Sequence, residues 1–183
     1  SRRAEDDDRI LNGESGWKWT SRADGRGASL ELVNLDVSNK HGQNWEPSQS
    51  PTPGKQNSVF STDAAPLILN VKHAPAIPRS GDTVTISADI KDNGNENITT
   101  ILNWRVSALD PDEFIQARMR DDGKNGDEES GDGTFTAQVP AQDDGTVVEF
   151  YIRANDDQFE RGWPQASGEE GQQQANALFQ FDD

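Results

Sequence analysis

The chain has 183 residues, of which 31% are hydrophobic, and a formal charge of −16 from 17 basic and 33 acidic side chains. That balance argues against a nucleic-acid partner, because phosphate recognition needs a basic stripe, and against an anionic membrane surface by the same sign. No apolar run approaches the roughly 18–20 residues of a membrane span, and there is no cysteine for a disulfide or a thiolate metal site.

Residues 1–16, SRRAEDDDRILNGESG, are charged and hold only Ile10 and Leu11 as large apolar groups, which reads as an arm or a linker. They carry no export signal, so the chain reads as an internal piece or a processed product. Trp17 and Trp19 follow, then a turn at Asp24-Gly25-Arg26-Gly27 and the alternating Leu30 and Leu32. Two short strands joined by that turn are expected. From Asn44 onward Pro47, Pro51, Pro53 and Gly54 predict irregular or extended structure. A boundary is placed there, between an N-terminal arm over 1–62 and a main unit over 63–183.

Beyond Ala65 the apolar residues recur with period two, the mark of strands with one buried and one wet face. Leu67, Leu69 and Val71 form the first set, and Val84, Ile86, Ala88 and Ile90 the second. Leu102, Trp104, Val106 and Ala108 share a face of the third strand, with Trp104 expected in the core. Phe114 and Ile115 enter a short fourth strand. Phe135, Ala137 and Val139 define the fifth, Val148, Phe150, Ile152 and Ala154 the sixth, and Leu178 with Phe179 or Phe181 the last. Seven short strands separated by turn residues, with no sustained 3.6-residue period, predict an all-β chain folded as an antiparallel β-sandwich of about seven strands behind an extended, partly β arm.

Between the fourth and fifth strands lies DDGKNGDEESGDGTF, residues 121–135, with four aspartates, two glutamates and four glycines in fifteen positions. Hard cations such as calcium take six to eight oxygens, and glycines permit the sharp turns that aim several of them inward. Asp121, Asp122, Asn125, Asp127 and Asp132 are the candidate ligands, with calcium the candidate cofactor. The spacing is not that of an EF-hand, since the twelfth residue from Asp121 is Asp132 rather than glutamate. The alternative is a solvated acidic loop whose aspartates and glycines serve turn chemistry.

For catalysis the chain offers two histidines, His41 and His73, no Gly-x-Ser-x-Gly element and no phosphate loop. It reads as non-enzymatic. Trp17, Trp45 and Trp163, with Trp19 and Tyr151, are the aromatics that a carbohydrate ligand would use for stacking, against the alternative that each one packs.

The stretch MRDDGKNGDEESGDGTFTAQVPAQDDGTVVEFYIRANDD resembles a motif of large secreted bacterial proteins, in which DDG, GD and GDG elements lead through an aromatic and threonine into GTxVEFYIxAxD. With GDTVTISADIKD upstream, the resemblance covers about residues 66–181 and implies an immunoglobulin- or fibronectin-III-like β-sandwich. ADGRGASLELVNLDVSNKHGQNWEPSQSPTPGKQNS is similar to the closing strands and tail of a bacterial lamin-tail-like domain, with Trp45, Thr52, Pro53, Gly54 and Asn57 at its characteristic positions. Only the end of such a domain is present, since an intact one needs several strands before residue 17. Such modules flank kinase-like domains of the spore-coat-protein-H type. The resemblance implies a non-catalytic accessory module of a secreted or cell-surface multidomain protein, a spacer or adhesive element that contacts other domains of its parent and, as further partners, glycans or surface proteins. The alternative expectation is a carbohydrate-binding module.

Overall fold

A computed structural model describes residues 21–23, 25, 27–94, 97–108, 113–164 and 176–183. The period-two stretches become strands. Val84, Ile86 and Ala88 in β4 (Val84–Lys91) are fully buried. They sit opposite Val139, Ala137 and Phe135 of the antiparallel β7 (Thr134–Val139), so one face of the pair is continuously apolar. On the other side of β4 runs β3 (Leu67–Ala74), which completes a three-stranded antiparallel sheet.

A second antiparallel sheet centres on β5 (Thr99–Val106) and β8 (Val147–Asn155), with β6 (Ile115–Met119) on the outer edge of β5. Two short strands share the free edge of β8: β10 (Ala177–Gln180) pairs with its first half and β9 (Glu160–Trp163) with its second. Leu102, Trp104, Met119, Val148, Phe150, Ile152 and Ala154 from this sheet meet Val84, Ile86, Ala88 and Val139 from the other in one core. An aromatic chain runs through it, from Trp163 to Phe150 (6.1 Å between ring centres), on to Phe179 (6.0 Å) and Phe181 (5.8 Å). The described residues are nearly all β, with antiparallel sheets packed as a sandwich.

Several details differ from the expectation. Leu67, Ile68 and Leu69 are all buried, and the core takes Ile68 and Val71 rather than Leu67 and Leu69. The register slips by one residue between Leu69 and Lys72, where Asn70 adopts φ 50°. This bulge breaks the alternation that the pattern assumed. Val106 is exposed at the end of β5, and Phe114 precedes β6 rather than entering it. Met119 is the buried residue of β6, while Ile115 is exposed. At the C-terminus both Phe179 and Phe181 are buried and Leu178 points outward at 60% exposure. β9 was not expected at all, because Glu160-Arg161-Gly162-Trp163 has no apolar alternation.

The N-terminal part holds β1 (Ser29–Leu32), which pairs antiparallel with β2 (Trp45–Ser48). Part of the stretch read as irregular is therefore a strand. In a two-stranded sheet each strand keeps one unpaired edge, so Pro47, opposite Leu30, needs no ladder N–H. Trp17 and Trp19, expected in the first strand, lie outside the described residues.

Polar side chains hold this part together. Asn44 Oδ1 accepts from the Asn34 N–H (2.9 Å), and Asn44 Nδ2 donates to the carbonyls of Asn34 (2.8 Å) and Val37 (3.0 Å). Asn34 Nδ2 donates to Ser61 O (3.0 Å), and its Oδ1 caps the Asp36 and Val37 N–H groups. Glu31 is buried and accepts from the backbone N–H and the hydroxyl of both Thr52 and Ser58. Burial alone would raise its pKa, but the Thr52 and Ser58 hydrogen bonds outweigh burial and hold it down from 4.5 to about 2.

The same chemistry fastens this part to the sandwich. Gln43 Nε2 donates to Ile68 O (2.8 Å) and Gln43 Oε1 accepts from Ile68 N (3.0 Å), so one side chain pairs with the outer edge of β3 as a strand residue would. Within the 63–183 unit, Arg161 of β9 fixes the segment that leads into β3: its Nε donates to Pro66 O (2.8 Å) and a second guanidinium N–H reaches Ala65 O. Burial lowers the Arg161 pKa to about 10 against an opposing pull from Glu46. Asn93 closes the junction by donating to Thr62 O (2.7 Å) and accepting from Ala64 N (3.3 Å).

Candidate metal centre

The acidic loop is the crossover from the five-stranded sheet to the three-stranded one. Its base is closed by a two-way backbone bridge, Arg120 N to Thr136 O (2.9 Å) and Thr136 N to Arg120 O (2.8 Å). Within it Asp121 accepts from the N–H of Gly131 through Oδ1 and from that of Gly133 through Oδ2 (2.9 Å). Asp127 Oδ2 accepts from Gly123 N (2.6 Å), and Asp132 Oδ1 from Thr134 N (2.7 Å). Glycine is required at 126: φ is +96°, and an added Cβ would sit 2.7 Å from Thr85 Oγ1 on β4. The loop thus folds back tightly onto the three-stranded sheet.

Three of the five expected ligands converge. Carboxylate oxygens of Asp121, Asp127 and Asp132 lie within 4.8 Å of one another. Asp127 is only 7% exposed, yet its Oδ1 is buried without a hydrogen-bond partner. Among the described residues, no lysine, arginine or histidine forms an ion pair with any of the three. Asp122 stands outside the cluster. With Asn125 it lines a shallow pocket of about 180 Å³ beside Arg118, Arg120 and Lys124.

A second carboxylate group was not anticipated. Asp63, Asp92 and Asp156 bring their oxygens within 4.8 Å of one another where the N-terminal part meets the sandwich. Asp156 is fully buried, and its Oδ1 accepts from Gln158 N (2.9 Å) and Phe159 N (2.6 Å). The pKa of Asp63 is raised, first by burial and then by the Asp156 and Asp92 charges. The only trace in the sequence is an aspartate just past the end of two long strands, Asp92 after β4 and Asp156 after β8.

Among the described residues, the aromatic candidates do not assemble into a platform. Trp163 is buried beside Phe150, which is the packing outcome and leaves its ring no face for a sugar. Trp45 is half-buried with its indole Nε1 tied to Asn39 O (3.0 Å). Tyr151 is covered edge-on by Phe114 (4.9 Å), with Arg153 over its ring. Trp17 lies outside the described residues. Trp104 is buried as expected. Of the two histidines, His73 stacks on Phe179 (5.0 Å) with Nδ1 3.1 Å from Pro75 O, and the His41 pKa is lowered by burial and by Lys91.

No family model matches this chain, and no curated protein matches it.

Proposed function

We propose that the chain is a non-catalytic accessory module of a secreted or cell-surface multidomain protein, serving as a rigid spacer between other domains of its parent. The observation that carries this reading is the clamp between the two parts. Gln43 pairs with the backbone edge of β3, and Asn93 donates to Thr62 O, so the connection is built from directional bonds rather than from a loose linker. A spacer needs that property, because a flexible joint would let flanking domains wander.

The connectivity supports an immunoglobulin- or fibronectin-III-like assignment for residues 63–183. With β9 set aside, the first, second and fifth of the seven main strands form one sheet, and the third, fourth, sixth and seventh form the other. In the same reading, residues 1–62 are the closing part of a lamin-tail-like domain. A charge of −16 suits a saline exterior, where counterions screen self-repulsion.

The native chain contains no cysteine, so a Lys40→Cys, Gln138→Cys pair can carry two spin labels, one on each part, at exposed positions. A rigid spacer gives a single narrow distance distribution, and Gln43→Ala broadens it. A broad distribution in the otherwise unaltered chain would overturn the reading.

A further inference from the structure

The acidic crossover has a feature that turn chemistry leaves unexplained. Asx-type bonds to the loop backbone occupy both oxygens of Asp121, Oδ2 of Asp127 and Oδ1 of Asp132. They leave Asp127 Oδ1 buried with no donor, in a residue more than nine-tenths buried whose carboxylate lies beside two others. Burying a charged oxygen unpaired is costly, and placing two like charges beside it raises the cost. Native structures satisfy such an atom with water, an ion or a proton.

From this we infer that Asp121, Asp127 and Asp132 form a binding site for one divalent cation, with calcium as the ion its chemistry suits, an assignment that goes beyond the spacer reading and does not depend on it. The donors are all oxygen, the preference of a hard cation, and no imidazole or thiolate is present to select zinc or copper. Calcium–oxygen distances of about 2.3–2.6 Å put ligands on opposite sides of the ion about 4.6–5.2 Å apart, which accommodates oxygens up to 4.8 Å from one another. Magnesium, at about 2.0–2.1 Å in a strict octahedron, would have to draw them closer.

The site is held ready by its own backbone. Asp121 gathers Gly131 and Gly133, and Asp127 gathers Gly123, so the carboxylates are positioned before an ion arrives. Hydrogen bonds from N–H groups leave each carboxylate oxygen a second lone pair for the metal. Water and loop carbonyls complete the shell. Since the loop links the edge of one sheet to the edge of the other, a bound cation acts as a clasp across the sandwich.

The test is a melting curve and a calorimetric titration of the full chain in EDTA, in calcium and in magnesium, with Asp127→Asn and Asp132→Asn variants. Calcium a hundredfold above its Kd should raise Tm by roughly 5–10 °C. Each variant should weaken calcium binding at least tenfold, and Asp127→Asn should melt higher than the unaltered chain in EDTA because it relieves the unpaired charge. Asp132 is exposed, so Asp132→Asn serves if Asp127→Asn fails to fold. No calcium heat and no Tm shift would overturn the site, as would a shift that both variants keep but Asp92→Asn loses, which would place the ion at the Asp63, Asp92 and Asp156 group. An equal response to magnesium would overturn the choice of calcium. The spin-label distance between Lys40→Cys and Gln138→Cys, measured in EDTA, tests the spacer reading separately.

Discussion

The sandwich and the N-terminal part solve the same problem with different materials. In the sandwich, seventeen buried apolar residues form one cluster, and the backbone is satisfied by strand ladders. Among the described residues of the N-terminal part the best-buried side chains are Glu31, Asn34, Gln43, Asn44 and Ser48, and these polar groups satisfy the backbone that its short two-stranded sheet leaves unpaired. Hydrophobic burial is non-directional and tolerates some repacking, whereas a polar network fails when one member is lost. The first kind of structure should yield gradually to substitution and the second abruptly.

The largest effect is expected in the sandwich. Phe150 touches both Trp163 and Phe179, and Phe150→Ala should cost about 3–5 kcal/mol in denaturant unfolding. Next is Asn44→Ala, which strands the Asn34 N–H and two carbonyls. A loss of about 2–3 kcal/mol is expected, and because the two clamped parts unfold as one, the amides of Asn34, Ser58, Ile86 and Ile152 should lose protection together. A loss of protection confined to residues 29–61 would show that the N-terminal part opens by itself and would contradict the clamp.

Acid sharpens the contrast further. The folded-state pKa of Glu31 is depressed, so its contribution is complete above the ordinary value of 4.5 and is lost as pH falls toward about 2. Glu31→Gln should therefore lower Tm at pH 7, and its gap to the unaltered chain should close as the pH drops from 4.5 to 2. A gap that is constant across that range would contradict the pairing. The smallest effect belongs to Leu178, outward on β10 at 60% exposure. Leu178→Ala should change stability by less than about 0.5 kcal/mol, whereas Phe179→Ala, one residue on, should cost about 3–5 kcal/mol.

This contrast also explains what could be read from the sequence. Val84, Ile86, Ala88 and Ile90, or Val148, Phe150, Ile152 and Ala154, announce themselves because one face is wet and the other apolar. The bulge at Asn70 and the core role of Phe179 and Phe181 over Leu178 escaped, because they depend on tertiary register and not on local pattern. β2 and β9 were missed because side-chain bonds and edge pairing hold them without apolar alternation. In the acidic loop the density of aspartate and glycine marked the place, and Asp121, Asp127 and Asp132 were within reach. That Asp122 and Asn125 turn to the neighbouring pocket was not, since it depends on how the loop folds back on Thr85. The Asp63, Asp92 and Asp156 group draws on positions up to 93 residues apart and left no local signal.

The central claim is that a polar network makes the N-terminal part as firmly folded as the sandwich it is clamped to. Native-state hydrogen exchange tests it most directly, read at the amides of Asn34, Ser58 and Ile68, which donate to Asn44, Glu31 and Gln43 respectively. The account predicts that these three exchange only through global unfolding, with the same free energy as Ile86 and Ile152. Exchange of Asn34 and Ser58 by local opening, while Ile86 and Ile152 stay protected, would contradict it.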